Sequence, residues 1–131
     1  MTRPYAPGMF EVPEDRFEQF VAEAIDGIPD NVVKAMDNVA FLVEDDPPDG
    51  VSLGLYDGVP ITQRRSSTYP SFLPTVIERP DRIIVYRHAI ERACGSESGV
   101  RDQVRRTLYE QVARLFGVED GDLSKLGWAG T

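Results

Sequence analysis

Val104-Arg105-Arg106-Thr107-Leu108-Tyr109-Glu110-Gln111-Val112-Ala113-Arg114-Leu115-Phe116-Gly117-Val118-Glu119-Asp120 is the stretch on which the fold turns. It continues a pattern that begins near Ser98, in which Val100, Val104, Leu108, Val112 and Leu115 recur every three or four residues. That spacing lays them in one stripe of an α-helix and predicts a helix from Ser98 to Phe116. Gly117 supplies the residue that tolerates a left-handed backbone, so it is expected to end the helix as its C-terminal cap.

Outward from this helix, the same periodicity recurs once. Phe17, Phe20, Val21, Ala24, Ile25 and Ile28 share one face of a helix predicted from Glu14 to Ile28 and closed by Gly27 and Pro29. Asp30 or Asn31 is expected to cap a second, short helix carrying Val32, Val33 and Met36. Val39-Ala40-Phe41-Leu42-Val43 is too short for a free-standing helix and reads as a strand buried on both faces. Leu53 to Tyr56, Asp57-Gly58 and Val59-Pro60-Ile61 resemble a hairpin with Pro60 on an edge. Thr62 to Thr75 reads as a long surface loop and a candidate rim of a binding groove. Arg82 to Arg87 forms a further strand, His88 to Ala93 or Cys94 a helix, and Asp122 to Gly127 a short closing helix beside Trp128. The class is α+β, a small mixed sheet packed against helices. A flexible arm over residues 1–12 is expected to precede a single domain over 13–131.

Composition narrows the function classes. The 131 residues carry a formal net charge of −8, which repels a phosphate backbone and argues against nucleic-acid binding. The charge is uneven: up to Pro60 there are 13 acidic and 3 basic residues, and from Ile61 onward 9 and 11. No apolar run spans a bilayer and the first residues lack the pattern of a secretory leader, so a cytoplasmic protein without a membrane role is expected. Cys94 is the sole cysteine and is expected to be a small buried residue; His88, six residues earlier, is the sole histidine.

Together, several segments resemble the small bacterial zincin-like metallopeptidase family. They are the opening amphipathic helix, Ala35 to Asp45, Leu53 to Pro60, Asp81 to Arg87, and Val104 to Asp120, in the family's order. The resemblance implies a minimal zincin-like domain whose metal helix reads His-Glu-x-x-His-x-x-Gly-x-x-Asp. Two His four apart bind zinc from one helix face, the neighbouring Glu acts as general base on the metal-bound water, and the Gly turn returns an Asp as third ligand.

Carried onto this chain, the Gly matches Gly117 and the third ligand Asp120. The first His becomes Glu110, the base becomes Gln111 and the second His becomes Arg114. An amide is no base for water near neutral pH, and a guanidinium opposes a cation. Glu110 and Arg114, four apart with the acid first, are expected to form an ion pair where zinc would sit. Zinc is the family's metal, yet no cofactor is expected here.

Three functions follow as expectations. The first is a protein without proteolysis that keeps a groove for an extended peptide or a protein partner, with Leu55, Tyr56, Tyr69, Ile84 and Tyr86 as groove candidates. The second is an active metallopeptidase with a non-standard site drawing on Glu110 and Asp120. The third is an acidic α+β interaction domain that meets a basic partner near Glu44 to Asp49.

Overall fold

The computed structural model describes residues 11–36, 38–61, 80–118 and 123. Their elements run α1 (Glu14–Asp26), α2 (Asp30–Ala35), β1 (Val39–Glu44), β2 (Gly54–Asp57), β3 (Asp81–Tyr86), α3 (Arg87–Ala93) and α4 (Glu97–Leu115). This is an α+β arrangement with a small mixed sheet, as the sequence predicts. Tyr69 and the rest of the 62–75 loop, Asp120, Trp128 and most of the closing helix lie outside the described residues.

Helix α4 is long because both of its ends are satisfied. Ser96 Oγ accepts the Gly99 amide at 3.0 Å, quenching one of the unpaired donors of the first turn. At the other end Gly117 adopts φ 79°. The Gly117 amide donates to Arg114 O at 2.9 Å and the Val118 amide to Ala113 O at 2.8 Å, the paired bonds of a Schellman turn. Val100, Val104, Leu108, Val112 and Leu115 are all buried along it.

Helix α1 closes over that stripe with Phe17, Phe20, Val21 and Ala24, and both helices pack on Ile83 and Val85 of β3. Tyr109 pins the helices together, its hydroxyl donating to Ala24 O at 2.9 Å. At the rim, Arg16 pairs with Glu97 at 2.8 Å and Arg101 with Glu23 at 2.9 Å, exposed contacts that water screens and that add little to stability.

The sheet order is β1-β3-β2, with β1 parallel and β2 antiparallel to β3. The central strand is therefore β3, and Ile83, Ile84, Val85 and Tyr86 are buried on both its faces. The expectation that Val39 to Val43 would be the strand buried on both faces is corrected: β1 is an outer strand whose Leu42 is exposed. A run without alternation marks apolarity, not position, and β1 has a neighbour only on the β3 side among the described residues.

The hairpin is also corrected. Residues 59–61 form no strand, and β2 pairs instead with β3, through Leu55↔Ile84 and Asp57↔Arg82. Gly58 is absent from the positive-φ residues, so Asp57-Gly58 is not the tight primed turn its composition suggests. Tyr56 and Arg82 fasten the pairing, the Tyr56 hydroxyl donating to Asp81 Oδ2 at 2.6 Å and Arg82 Nε to Asp57 Oδ2 at 3.0 Å. Asp30 opens α2 from inside its first turn, where its charge suits the helix dipole, and Pro29 occupies the cap position. At the N-terminal end Val12 is buried, so the packed structure begins before Pro13 and takes in the end of the expected arm.

Candidate functional site

Thr107 and Gln111, four residues apart, share the face of α4 that meets β2. Gly54 makes the approach close: a methyl group at that position would lie 2.6 Å from Thr107 Cγ2, 3.0 Å from Ile84 O and 3.3 Å from Gln111 Nε2. The Thr107 hydroxyl accepts from Gln103 Nε2 at 2.9 Å, so a line of uncharged polar groups runs along the seam beside the apolar stripe.

Gln111 is only 2% exposed, whereas Glu110 and Arg114 are exposed. The expected Glu110–Arg114 ion pair does not form within 4 Å: Arg114 Nη1 instead donates to Gln111 Oε1 at 3.4 Å. The physical reason is hydration. A carboxylate in water gains little from a surface pair, while a buried amide oxygen gains more from any donor within reach.

Strand β2, which among the described residues has a neighbour only on the β3 side, lies beside this seam. The Tyr86 amide donates to Leu53 O at 2.9 Å, which makes Leu53 and Tyr86 a hydrogen-bonded pair of the antiparallel ladder. By the alternation of such ladders, Gly54 carries its N–H and C=O on the side away from β3. The groove candidates do not share one surface. Tyr56 belongs with the face covered by α1 and α4, while Leu55 pairs across from Ile84 on the opposite face, where Ile84 and Tyr86 are buried with Ala89. Leu55 is the exposed member.

The acidic segment after β1 is drawn into local pairs. Asp45 meets Arg87 at 3.2 Å, and Asp46 meets Arg92 at 3.7 Å and His88 Nδ1 at 3.3 Å. Asp49 accepts the Val51 and Ser52 amides at 2.9 and 2.8 Å and the Ser52 hydroxyl. These bonds, the hydroxyl's foremost, lower its carboxyl from 3.8 to about 2. Cys94 is half-buried and burial pushes its thiol up, away from reactivity.

A sequence model of the zincin-like metallopeptidase family matches residues 36–128, most of the chain, including β1 to β3, α3 and α4. The chain belongs to the zincin-like metallopeptidase family. No curated protein matches it. Within the described residues of this zincin-like protein, no helix is long and apolar enough to cross a membrane.

The zinc of such a family can be tested against the donors present. On the placement that the resemblance implies, the two imidazoles and the base would fall on an exposed carboxylate, a buried amide and a guanidinium. Only Glu110 is a usual zinc donor, and Arg114 opposes a divalent cation beside it; these residues do not fit the metal. The sole histidine, His88, lies in α3, buried, with its ring nitrogens toward Asp46 and Glu91. Glu91 is the residue that sequence reasoning passed over. All of His88, Ala89, Ile90 and Glu91 are buried, so α3 has no alternation of polar and apolar faces to single it out.

Proposed function

We propose that this zincin-like protein neither holds zinc nor cleaves peptides, and acts by binding an extended peptide or a protein partner along the seam between β2 and α4. The observation that carries the reading is Gln111, buried against the Gly54 backbone and bonded to Arg114 where the family's general base belongs. A neutral amide in that place packs the helix on the strand and cannot take a proton from water. The frame around it is kept. The Gly117 turn closes α4 and the outer strand lies beside it, the setting in which an added strand is recognised through backbone bonds.

The test joins metal content and binding on the same chelator-free preparation. The expected outcome is substoichiometric zinc, no peptide cleavage, and capture of extended peptides that weakens with Arg114→Ala and with backbone N-methylation of the peptide. Stoichiometric zinc would defeat the first half of the reading. Capture indifferent to both changes would defeat the second.

A further inference from the structure

A buried carboxylate fastens the segment that leads into α1. The Val12 amide donates to Glu91 Oε2 at 2.6 Å, and Glu91 is 0% exposed. Its second oxygen, Oε1, has no hydrogen-bond partner among the described residues. His88 Nε2 stands 4.0 Å from that oxygen on a ring only 1% exposed. The other ring nitrogen, Nδ1, faces the half-exposed Asp46 at 3.3 Å. The imidazole thus stands between two carboxylates, one in water and one sealed inside.

The charges facing Glu91 among the described residues come from each element around it. Glu11 lies on the leading segment, Arg87 and His88 on α3, and Asp46 reaches the ring from the connection after β1. Arg87 is turned toward Asp45, so it does not fill the vacancy at Oε1. With a neutral imidazole and an ionised Glu91, the enclosed pair carries a net negative charge, a state that burial disfavours strongly. One proton added to the Glu91 carboxyl cancels it. Burial accordingly holds the Glu91 carboxyl above the usual carboxylate range, against the opposing pull of the Val12 amide, Arg87 and His88.

We propose that the segment leading into α1 is held by a proton-linked latch, in which the enclosed Glu91 carboxyl beside His88 holds one extra proton and its loss releases Val12 from α3. The sign follows from linkage. A group that binds its proton more tightly in the docked state stabilises docking at low pH, and the contribution is lost as pH rises through the docked-state value. Once the proton leaves, the anion needs water, and water reaches Oε1 when the Val12 segment lifts.

The experiment uses the whole chain. Because His88 is its only histidine, the ring Cε1–H signal, a reporter of the charge on the neighbouring Glu91, is followed by NMR beside the Val12 amide upward from the ordinary carboxylate range. Both signals should move with one midpoint. From the ordinary carboxylate range up to that midpoint, the protection of the Val12 amide, corrected for intrinsic exchange, should fall by about tenfold per pH unit, the limit for one linked proton, and level off above it. The Leu108 amide, deep in α4, should keep its protection.

Glu91→Gln retains an acceptor for Val12 and a donor toward His88 but cannot titrate, so the Val12 slope should vanish. Separate midpoints in the native chain would overturn the latch even if the variant did not fold. So would a Val12 slope that persists in Glu91→Gln, or a slope shared by Leu108. The inference does not depend on the state of the α4 site.

Discussion

Replacing Gly54 by Ala tests the contact that joins the outer strand to the metal-type helix. The new methyl would stand 2.6 Å from Thr107 Cγ2 and 3.0 Å from the Ile84 carbonyl, both on rigid neighbours. Forcing a methyl into a filled interface costs about 1–3 kcal/mol, while losing glycine's freedom in the unfolded chain returns about 0.4–1 kcal/mol. The net expectation is destabilisation of about 1–2 kcal/mol. Thr107→Ser removes the clashing methyl and keeps the hydroxyl that accepts from Gln103 at 2.9 Å; alone it should cost about 1 kcal/mol for one buried methyl. In the double variant the serine makes room for the alanine, so the combined cost should fall below the sum of the two by about 1 kcal/mol. Urea unfolding of the four proteins, with slopes checked for constancy, measures this cycle. Strict additivity would show that the two side chains do not meet, and the seam described here would be misplaced.

Restoring the family's ligands through Glu110→His, Gln111→Glu and Arg114→His should give a protein less stable without metal, because it buries a carboxylate at position 111, and one whose Tm climbs with zinc. No rise with zinc would mean that the Gly117 turn does not return Asp120 to the helix. Asp49, lowered to about 2 by the Ser52 hydroxyl and backbone amides, favours the folded state above its ordinary value of 3.8 and loses that contribution as pH falls toward about 2. Asp49→Ala should therefore flatten the acid limb of a stability-against-pH curve, and an unchanged limb would contradict the assignment. Tyr109→Phe removes the 2.9 Å bond to Ala24 O and should cost about 1 kcal/mol in the same unfolding assay.

Helices were legible in the sequence because their burial has a period. The stripes of α1 and α4 follow from side-chain spacing and the Gly117 cap from the special freedom of glycine, whereas Gly27 ends α1 in an ordinary right-handed conformation. Strand partners were not legible. Val39 to Val43 is wholly apolar and Arg82 to Arg87 carries an arginine at each end, yet only the second is central, a fact set by pairing across the chain. Asp57-Gly58 suggested a hairpin, but the ladder with β3 claimed Leu55 and Asp57.

At the candidate site, helix geometry placed Glu110, Gln111 and Arg114 near one another but did not reveal which is enclosed. The Gly54 approach, forty residues or more away in sequence, seals Gln111, and that decides where the Arg114 guanidinium turns. The role of Glu91 was hidden for a similar reason, since its partner Val12 lies 79 residues upstream.

The stretch matched by the family begins at residue 36, whereas α1 occupies Glu14–Asp26. The matched stretch is therefore smaller than the packed unit. Phe17, Phe20 and Val21 form one wall of the chamber in which Val104 and Leu108 sit, so a gene fragment spanning only the matched residues would encode a protein with its roof removed. A fragment beginning at residue 36 would need another apolar surface in place of α1 to cover Val104 and Leu108.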